Sequence, residues 1–271
     1  MSNEIVSICI PVFNGEKTIA KTLESVLCQT YQTLEIIIVD NCSVDSTEEI
    51  IKTYTDDRIR YYKNESNLGM VGNWNRCIQY VTGKYLIFVC ADDLLEKDAI
   101  KKKLEIIKSK EDIALVFSAS SIINDDGKVL MHRHPLKKTC IVDGKKFAKK
   151  AFYKGNLYGE PTNVLIRKSV LDKVGEFATN TYYETDFEMW MRLSCFGSVG
   201  YVNEELMNYR IASSNQTSKI QFKKKLLDDK NFVSNMHKYN YLELTKLDDY
   251  IHYIITTLKI IARIVYMKLF C

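Results

Sequence analysis

The sequence places acidic side chains after two of its apolar runs. Asp40 follows the run LEIIIV, and Asp92 and Asp93 stand shortly after the run YLIFV. Adjacent carboxylates repel each other, and a hard divalent cation such as Mg²⁺ or Mn²⁺ relieves that repulsion while water and substrate phosphates complete its coordination shell. The chain has four other Asp-Asp pairs, and the apolar run distinguishes Asp92 and Asp93 from such solvated charges. These residues predict a metal-assisted site for a phosphate-bearing substrate.

The elements that must position these carboxylates alternate along the first half of the chain. Apolar runs predict strands, and segments with apolar residues at helical spacing predict helices between them. This alternation predicts an α/β fold with a mainly parallel sheet flanked by helices, followed by a C-terminal helical extension. The predicted strands are 7–13, 34–39, 58–62, 85–89, 113–119, 163–167 and 200–209, and the predicted helices are 17–28, 46–54, 70–81 and 186–196.

The glycine-rich nucleotide cradles of two large enzyme classes are missing. The sequence contains neither GxGxxG nor GxxxxGK[ST], which excludes a dinucleotide-binding dehydrogenase and a P-loop NTPase. Ligands of an open α/β sheet bind at the carboxyl ends of its strands, where Pro11, Phe13 and Asn14 accompany the end of the first strand. A nucleotide held there is expected to be held through a metal on its diphosphate.

The composition is that of one large globular domain, or of one domain with an appendage. The 271 residues have a mass of 31.4 kDa, 46% are hydrophobic and 27% are charged, which excludes a disordered chain. The net charge of +4 is uneven, because residues 219–271 carry ten Lys or Arg against five Asp or Glu, whereas residues 1–218 carry 28 against 29. No nucleic-acid-binding module accompanies this charge, so nucleic acid is not an expected partner.

The first residues and the cysteines indicate a cytoplasmic protein. The chain begins without the basic n-region and cleavage site of a secretory signal, and no run reaches the roughly 18 apolar residues of a transmembrane helix. The eight cysteines include no CxxC pair, which predicts reduced thiols rather than a zinc or redox site.

Several segments resemble the glycosyltransferases of family 2. Residues 7–47 (SICIPVFNGEKTIAKTLESVLCQTYQTLEIIIVDNCSVDST) closely resemble the opening of that family, and residues 67–95 (NLGMVGNWNRCIQYVTGKYLIFVCADDLL) continue the match. Residues 184–193 (ETDFEMWMRL) and 209–210 (YR) are similar to later family elements, so the resemblance covers residues 5–215. It implies a GT-A fold, a nucleoside-diphosphate sugar donor, a divalent metal (Mn²⁺ or Mg²⁺) and inversion at the anomeric carbon.

The resemblance also implies which residues bind the nucleotide. It implies that Pro11, Phe13 and Asn14 line the nucleotide pocket. It implies further that Asp40 contacts the base and that Arg210 contacts the diphosphate.

For the reaction, the resemblance implies a metal site and a general base. Asp93 corresponds to the metal ligand, and Asp92 to a residue that contacts the ribose or the metal. Asp186 takes the position of the catalytic Asp of the family. Thr185 stands where the family usually has Glu, and Glu184 is displaced by one position. Asp186 and Glu184 therefore compete for the role of general base, and Asp186 is preferred.

The segment 219–271 is predicted to be helical, outside a catalytic domain of residues 1–218. Its last part is amphipathic with a wide apolar face. The polar face carries Thr256, Lys259 and Arg263, and the apolar face carries Ile254, Ile255, Leu258, Ile261 and Val265. One alternative packs this helix on the sheet domain. The other lays it on a membrane, where Lys and Arg meet anionic lipid head groups at the inner face.

These features predict a metal-dependent inverting glycosyltransferase that moves a sugar to a hydroxyl of a glycan or lipid-linked acceptor, in surface polysaccharide biosynthesis. Two alternatives stay open. A nucleotidyltransferase uses a similar sheet and metal, but usually has a glycine-rich phosphate loop where this chain has PVFNGEKT. A non-catalytic sugar-binding subunit would keep the fold without the reaction.

Overall fold

The computed structural model describes the backbone of residues 4–211 and 222–270, and the side chains of these residues except 222–223 and 259–270. The strands are β1 (Val6–Val12), β2 (Leu34–Asp40), β3 (Ile59–Lys63), β4 (Tyr85–Phe88), β5 (Leu94–Leu95), β6 (Ile113–Ile123), β7 (Val129–Arg133), β8 (Cys140–Asp143), β9 (Leu165–Arg167) and β10 (Ser198–Arg210). The helices are α1 (Ile19–Leu27), α2 (Thr47–Lys52), α3 (Gly69–Gln79), α4 (Ala99–Ser109), α5 (Gly144–Lys154), α6 (Lys168–Val174), α7 (Thr185–Ser194), α8 (Phe222–Tyr239) and α9 (Lys246–Phe270), with a 3₁₀ turn at Pro161–Asn163.

Within the described ranges the strands form one mixed sheet in the order β3-β2-β1-β4-β9-β6-β10-β5. The pairs β2–β3, β1–β2, β1–β4 and β6–β10 are parallel, whereas β9 runs antiparallel between β4 and β6. β7 extends the sheet beside β6, and β8 beside β10. The predicted α/β class with a mainly parallel sheet flanked by helices is therefore confirmed, and every antiparallel pair includes β7, β9 or β10.

The apolar runs explain why the strands lie where they do. Every residue of β2 is buried, as expected for a central strand covered on both faces, whereas the edge strand β3 is partly exposed. On one face α1 packs Ile19, Leu23 and Val26 against the sheet. The other face is covered by α3, α5, α7 and α8. The sheet thus has a separate apolar core on each side, and its polar residues collect where the strands end.

One of the buried charged side chains lies on α4. Lys103 on α4 is fully buried, and its amine lies 3.4 Å from Asn163 Oδ1. Burial lowers the pKa of this amine to about 7. At neutral pH the amine is therefore close to its midpoint of protonation.

The two C-terminal helices pack on the helices of the sheet domain, α8 against α7 and α9 against α5. His252 on α9 joins them, because its Nδ1 donates to Phe152 O (2.6 Å) and its Nε2 lies 2.9 Å from Asp229 Oδ1 on α8. Burial alone would lower the pKa of His252, but the hydrogen bond and charge of Asp229 outweigh it and raise the pKa. This pair ties α8 to both α5 and α9.

The outer face of α9 carries a row of exposed apolar side chains. Its members are Leu247, Tyr250, Ile251, Ile254 and Leu258. The side chains predicted to continue the amphipathic pattern, Lys259, Ile261, Arg263 and Val265, lie outside the described residues. Among the helices that are described, none combines the length and the apolar character needed to cross a bilayer.

Candidate active site

The carboxyl ends of β1 and β2 lie side by side, with Val12 paired to Asp40. Asp40 is fully buried. Its Oδ1 accepts from the backbone N–H of Ser43 (2.8 Å), and its Oδ2 accepts from the hydroxyl of Tyr61 (2.8 Å). Lys63 Nζ lies 4.0 Å from Oδ2. The carboxylate predicted to contact the base is thus fixed from β3 and from the loop that follows β2.

The loop after β1 is fastened to the loop after β2. Asn14 has a φ of 51°, a left-handed conformation that asparagine tolerates better than most residues. Its backbone N–H donates to Ser43 Oγ (2.9 Å), and its Oδ1 accepts from the backbone N–H of Val44 (3.0 Å). Phe13 is 47% exposed, and Pro11 is half-buried in β1. The ring of Phe13 is therefore available for contact with a ligand.

Four asparagines fill the space beside Asp40. The side-chain amide of Asn41 donates to Asn67 Oδ1 (2.8 Å), and Asn64 donates to both Asn41 Oδ1 (3.1 Å) and Asn73 Oδ1 (2.8 Å). Asn73 in turn donates to Val39 O (2.9 Å). This network joins the carboxyl end of β2 to α3 and to the loop between β3 and α3.

Asp92 and Asp93 lie in the turn between β4 and β5. The Asp93 side chain is fully buried, with Oδ2 accepting from the Thr162 hydroxyl (2.6 Å) and Oδ1 accepting from the Arg210 backbone N–H (3.1 Å). Burial and the charge of Asp92 raise the pKa of Asp93 well above its ordinary value, and burial also raises the pKa of Asp92. The two carboxylates thus carry an electrostatic cost that a bound cation would reduce.

Arg210, the last residue of β10, is buried against this turn. Its Nε donates to Asp92 O (3.0 Å), and its Nη1 donates to Asn124 O and Asp125 O (both 2.9 Å). The guanidinium therefore joins the Asp92 turn to the β6–β7 connection through backbone carbonyls. Its predicted contact with a diphosphate stays a prediction.

The charge of Asp186 acts on the same side chain as the charges of Asp92 and Asp93, the thiol of Cys90. Burial raises the pKa of the Cys90 thiol, and the charges of Asp93, Asp92 and Asp186 raise it further. Thr162 lies in the same place, since it accepts from the Cys90 backbone N–H (3.0 Å) while donating to Asp93. The structure thus brings together carboxylates that are more than 90 residues apart in the sequence.

An arginine–glutamate pair borders this group of carboxylates. Arg133, at the end of β7, makes a two-point ion pair with Glu160 and donates from Nε to Ser120 Oγ (3.1 Å). The charge of Glu160 contributes to the raised pKa values of both Asp93 and Asp186. Glu160 and Arg133 are therefore candidate contacts for substrate.

The two candidate bases differ in their surroundings. Glu184 is largely buried, forms an ion pair with Lys225 on α8, and lies at the start of α7. Asp186 lies in the first turn of α7, and its Oδ1 accepts from the Phe187 backbone N–H (2.7 Å). Burial and the charge of Glu184 raise the pKa of Asp186 to about 8. A carboxylate with such a pKa binds a proton readily at neutral pH, which suits a general base.

The residues at the Asp92–Asp93 turn fit a hard divalent cation. Each carboxylate oxygen can accept more than one partner, so the hydrogen bonds to Asp93 leave it lone pairs that could bind a metal. In the described ranges, no group of three or more His, Cys, Asp or Glu side chains is arranged to hold a metal ion. A cation here would draw one or two ligands from the protein and the rest from substrate phosphates and water, as Mg²⁺ often does.

Several candidate residues had no sequence signal. Thr162 and Glu160 lie in the segment between β6 and α7, where residue patterns gave no indication of a catalytic site. Lys225 lies in the C-terminal segment predicted to be a separate extension. For Thr162, a weak signal is the Pro-Thr-Asn turn directly before the short buried strand β9.

Comparison with known proteins identifies the family of the chain. The family model described as "Glycosyl transferase family 2" matches residues 7–175. An uncharacterized glycosyltransferase of Methanocaldococcus jannaschii is 30% identical over 232 residues, which cover 83% of this chain and 77% of that protein. A Bacillus subtilis protein named for a glycosyltransferase of teichuronic acid biosynthesis, TuaG, is 29% identical over 79% of this chain and 82% of its own length.

Two solved structures are similar at the level of the fold. The structure of S. aureus TarS 1–349 in complex with UDP-GlcNAc has a TM-score of 0.71 at 18% identity, and the match covers 88% of this chain and 70% of that one. The mannosyltransferase PcManGT from Pyrobaculum calidifontis, in complex with GDP-Man and Mn²⁺, has a TM-score of 0.59 at 15% identity, with 86% and 63% covered. The family model matches most of the sheet domain, the archaeal relative matches along most of its own length, and the chain belongs to glycosyltransferase family 2.

Proposed function

We propose that this enzyme transfers a sugar from a nucleoside-diphosphate sugar to an acceptor hydroxyl with inversion, and that Asp186 is the general base. The observation that carries the proposal is the Asp186 carboxylate, which has a raised pKa and lies close enough to the Asp92–Asp93 turn for its charge to act on the same thiol, Cys90. The nucleotide sugars bound by TarS and PcManGT support this class of donor.

The nucleoside would lie at the ends of β1 and β2. Phe13 offers an exposed ring, and Asp40 is held in place by Tyr61 and the Ser43 backbone. Pro11 and Asn14 complete the wall on the β1 side. The diphosphate would then extend toward Asp92 and Asp93, in the direction of the carboxyl end of β4.

The base removes the acceptor proton while the new bond forms. The acceptor oxygen attacks the anomeric carbon from the face opposite the diphosphate, and the bond from that carbon to the diphosphate oxygen breaks. The acceptor proton passes to the Asp186 carboxylate. Asp186 suits this role better than Glu184, because Glu184 is already paired with the Lys225 ammonium.

Mg²⁺ or Mn²⁺ is the proposed cofactor, and Asp92 and Asp93 would hold it. When bound, such an ion would neutralise the charge that develops on the leaving diphosphate. Thr162 and the Arg210 backbone N–H keep Asp93 in position for that role.

The acceptor is proposed to be a glycan or lipid-linked hydroxyl of a surface polysaccharide. The name of the Bacillus subtilis relative, which refers to teichuronic acid biosynthesis, supports this class of product. Arg133 and Glu160 border Asp186 and would contact the acceptor.

Peripheral contact with a membrane through α9 is part of the proposal. The exposed row on α9 offers apolar side chains, and residues 251–271 contain Lys and Arg but no acidic residue. We expect the protein to float with vesicles that contain anionic lipid, and Ile254→Ser with Leu258→Ser to reduce flotation. Leu130→Ser, at an equally exposed site on β7, is the matched control. Equal flotation of all three proteins would refute the contact.

A panel of nucleotide sugars tests the activity. Release of the nucleoside diphosphate is measured for UDP-sugars, GDP-sugars and other nucleotide sugars. Each donor is incubated with an extract of glycan acceptors, with and without Mn²⁺. We expect turnover of at least one donor and its loss on chelation. Release of pyrophosphate instead would indicate a nucleotidyltransferase, and binding of donors without any release would indicate a non-catalytic subunit.

A further inference from the structure

The loop in front of α7 is held by one carboxylate from the C-terminal helices. Asp228 on α8 is buried, and its Oδ1 accepts from the Tyr182 backbone N–H (2.6 Å). Its Oδ2 accepts from the backbone N–H groups of Tyr183 (2.8 Å) and Glu184 (2.9 Å). Three consecutive N–H groups thus donate to one side chain that lies 44 to 46 residues further along the chain.

These N–H groups belong to the turn directly before α7. The N–H groups at the start of a helix have no acceptor inside it, and a residue near the helix start usually caps them. Here Glu184 precedes α7 without a side-chain cap of its own. Asp228 instead fastens the turn directly ahead of the helix, two to four residues before Asp186.

A second residue of α8 reaches the same turn. Lys225, one helical turn before Asp228, forms the ion pair with Glu184 and lies 5.9 Å from the centre of the Tyr183 ring. α8 therefore presents an anion to the backbone of the turn and a cation to its carboxylate. On its other side, Asp229 holds α8 to His252.

The Asp186 side chain depends on this turn for its placement. Its hydrogen bond runs to the N–H of the next residue, Phe187, which fixes the rotamer but not the position of the helix start. The charges that act on Asp186 come from Glu184, Glu160 and Lys225. Two of these three charges belong to the turn or to α8.

We propose that Asp228, assisted by Lys225, is a positioning residue for the general base, because it fixes the turn 182–184 from which α7 and Asp186 begin. This inference rests on the proposed function, in which Asp186 accepts the acceptor proton. The C-terminal helices are in this case part of the catalytic apparatus and not an appendage to it.

The test compares the variants Asp228→Asn, Asp228→Ala and Lys225→Met with the wild-type enzyme. All four proteins are assayed with the donor that the wild type turns over. Misplacing a reacting group by about 1 Å can cost about 100-fold in rate. We expect kcat of Asp228→Asn to fall by about 10- to 100-fold with little change in donor KM, and Asp228→Ala to fall further. Lys225→Met should move the pH at which activity is half-maximal upward, because the ammonium favours the ionised form of Asp186.

Asp248→Asn is the matched control. Asp248 is another buried carboxylate of the C-terminal helices, and it accepts from the backbone N–H of Thr245 (2.7 Å) without contacting the turn 182–184. We expect its kcat and pH profile to match those of the wild type. A loss of kcat in Asp248→Asn equal to that in Asp228→Asn would overturn the positioning role.

Hydrogen exchange separates a failure of this inference from a failure of the proposed function. In Asp228→Asn the amides of residues 182–184 should exchange at least about tenfold faster than in the wild type, because they lose an acceptor oxygen. Unchanged exchange would refute the positioning role whether or not the enzyme turns over any donor. If the wild-type protein transfers no sugar from any donor, while exchange of these amides is fast in Asp228→Asn, the proposed reaction is refuted and the role of Asp228 in holding the turn is supported.

Discussion

The proposed nucleotide side of the site, at the ends of β1 and β2, differs in its construction from the proposed transfer side around Asp92, Asp93 and Asp186. On the nucleotide side, Asp40 and the four asparagines have hydrogen-bond partners from neighbouring strands and loops. On the transfer side, burial raises the pKa values of Asp92, Asp93 and Asp186, and buried Lys103 lies behind Asn163. The polar groups of the nucleotide side are thus paired by hydrogen bonds, whereas burial disfavours the ionised form of the carboxylates on the transfer side.

This difference indicates which part of the site recognises the donor and which part favours the transfer step. A satisfied polar network is rigid and suits recognition of an invariant group such as a nucleoside. Carboxylates with raised pKa values gain stability when a cation or a proton reaches them, which is what transfer of a sugar requires. Substitutions on the two sides should accordingly affect different measured quantities.

The largest expected effect comes from Asp186→Asn. Removing a general base typically costs about 10²- to 10⁴-fold in rate, so kcat should fall by this factor while donor affinity stays the same. Steady-state kinetics and calorimetric titration with the nucleotide sugar check it. Glu184→Gln is the comparison variant, and a larger loss of kcat in it than in Asp186→Asn would assign the base to Glu184.

The pH dependence of kcat/KM is the next largest effect. Asp186 must be ionised to accept a proton, and its pKa is raised to about 8, so kcat/KM should rise about tenfold per pH unit below pH 8 and level off above it. Because the charge of Glu184 raises the pKa of Asp186, Glu184→Gln should shift this rise to lower pH. A profile that is flat between pH 6 and pH 9 would contradict the assignment.

On the nucleotide side, Asn41→Ala should reduce stability more than catalysis. The substitution removes the hydrogen bonds of Asn41 with Asn64, Asn67 and the Leu68 backbone N–H, and each such bond contributes about 0.5–1.5 kcal/mol to stability. Urea denaturation measures the loss, and kcat should stay near the wild-type value. A variant with normal stability and strongly reduced kcat would reverse the contrast between the two sides.

The last expected effect concerns Lys103 and is a dependence of stability on pH. Its pKa is about 7 in the folded protein and 10.5 ordinarily, so between these values the unfolded chain binds a proton that the folded chain does not. Stability contributed by this group should therefore rise with pH across that window, by at most about 1.4 kcal/mol per pH unit. Lys103→Met should remove this slope in urea denaturation at pH 7 to 9. Equal slopes for both proteins would mean that Lys103 is not buried as described.

Much of the fold follows from local sequence pattern. The runs of β1, β2 and β4 are apolar because both faces of these strands are covered, and the side chains that follow them had to meet at one edge of the sheet. The position of Asp40 relative to Asp92 and Asp93 was predictable for that reason. The resemblance to family 2 supplied Asp186, which no periodicity indicates.

The remaining parts of the site depend on long-range contacts that leave no local pattern. Thr162 meets Asp93 across 69 residues, and Asp228 meets the turn 182–184 across about 45. A threonine after proline and an Asp-Asp pair on a helix are both common on protein surfaces. The Asp228–Asp229 pair counts in the sequence among the solvated charges, whereas in the structure both carboxylates are buried and bonded.

The order in which a ribosome makes these parts gives the bond between Asp228 and the turn 182–184 a further meaning. The donor-facing strands emerge first and can fold as synthesis proceeds, whereas the carboxylate that fastens this turn is made some 45 residues after it. A nascent chain that ends before α8 contains every residue predicted to contact the nucleotide. It lacks Asp228, the residue proposed to position the general base Asp186. If Asp228 positions Asp186 as proposed, translation through α8 is the step at which a chain able to bind a sugar nucleotide also becomes able to transfer the sugar.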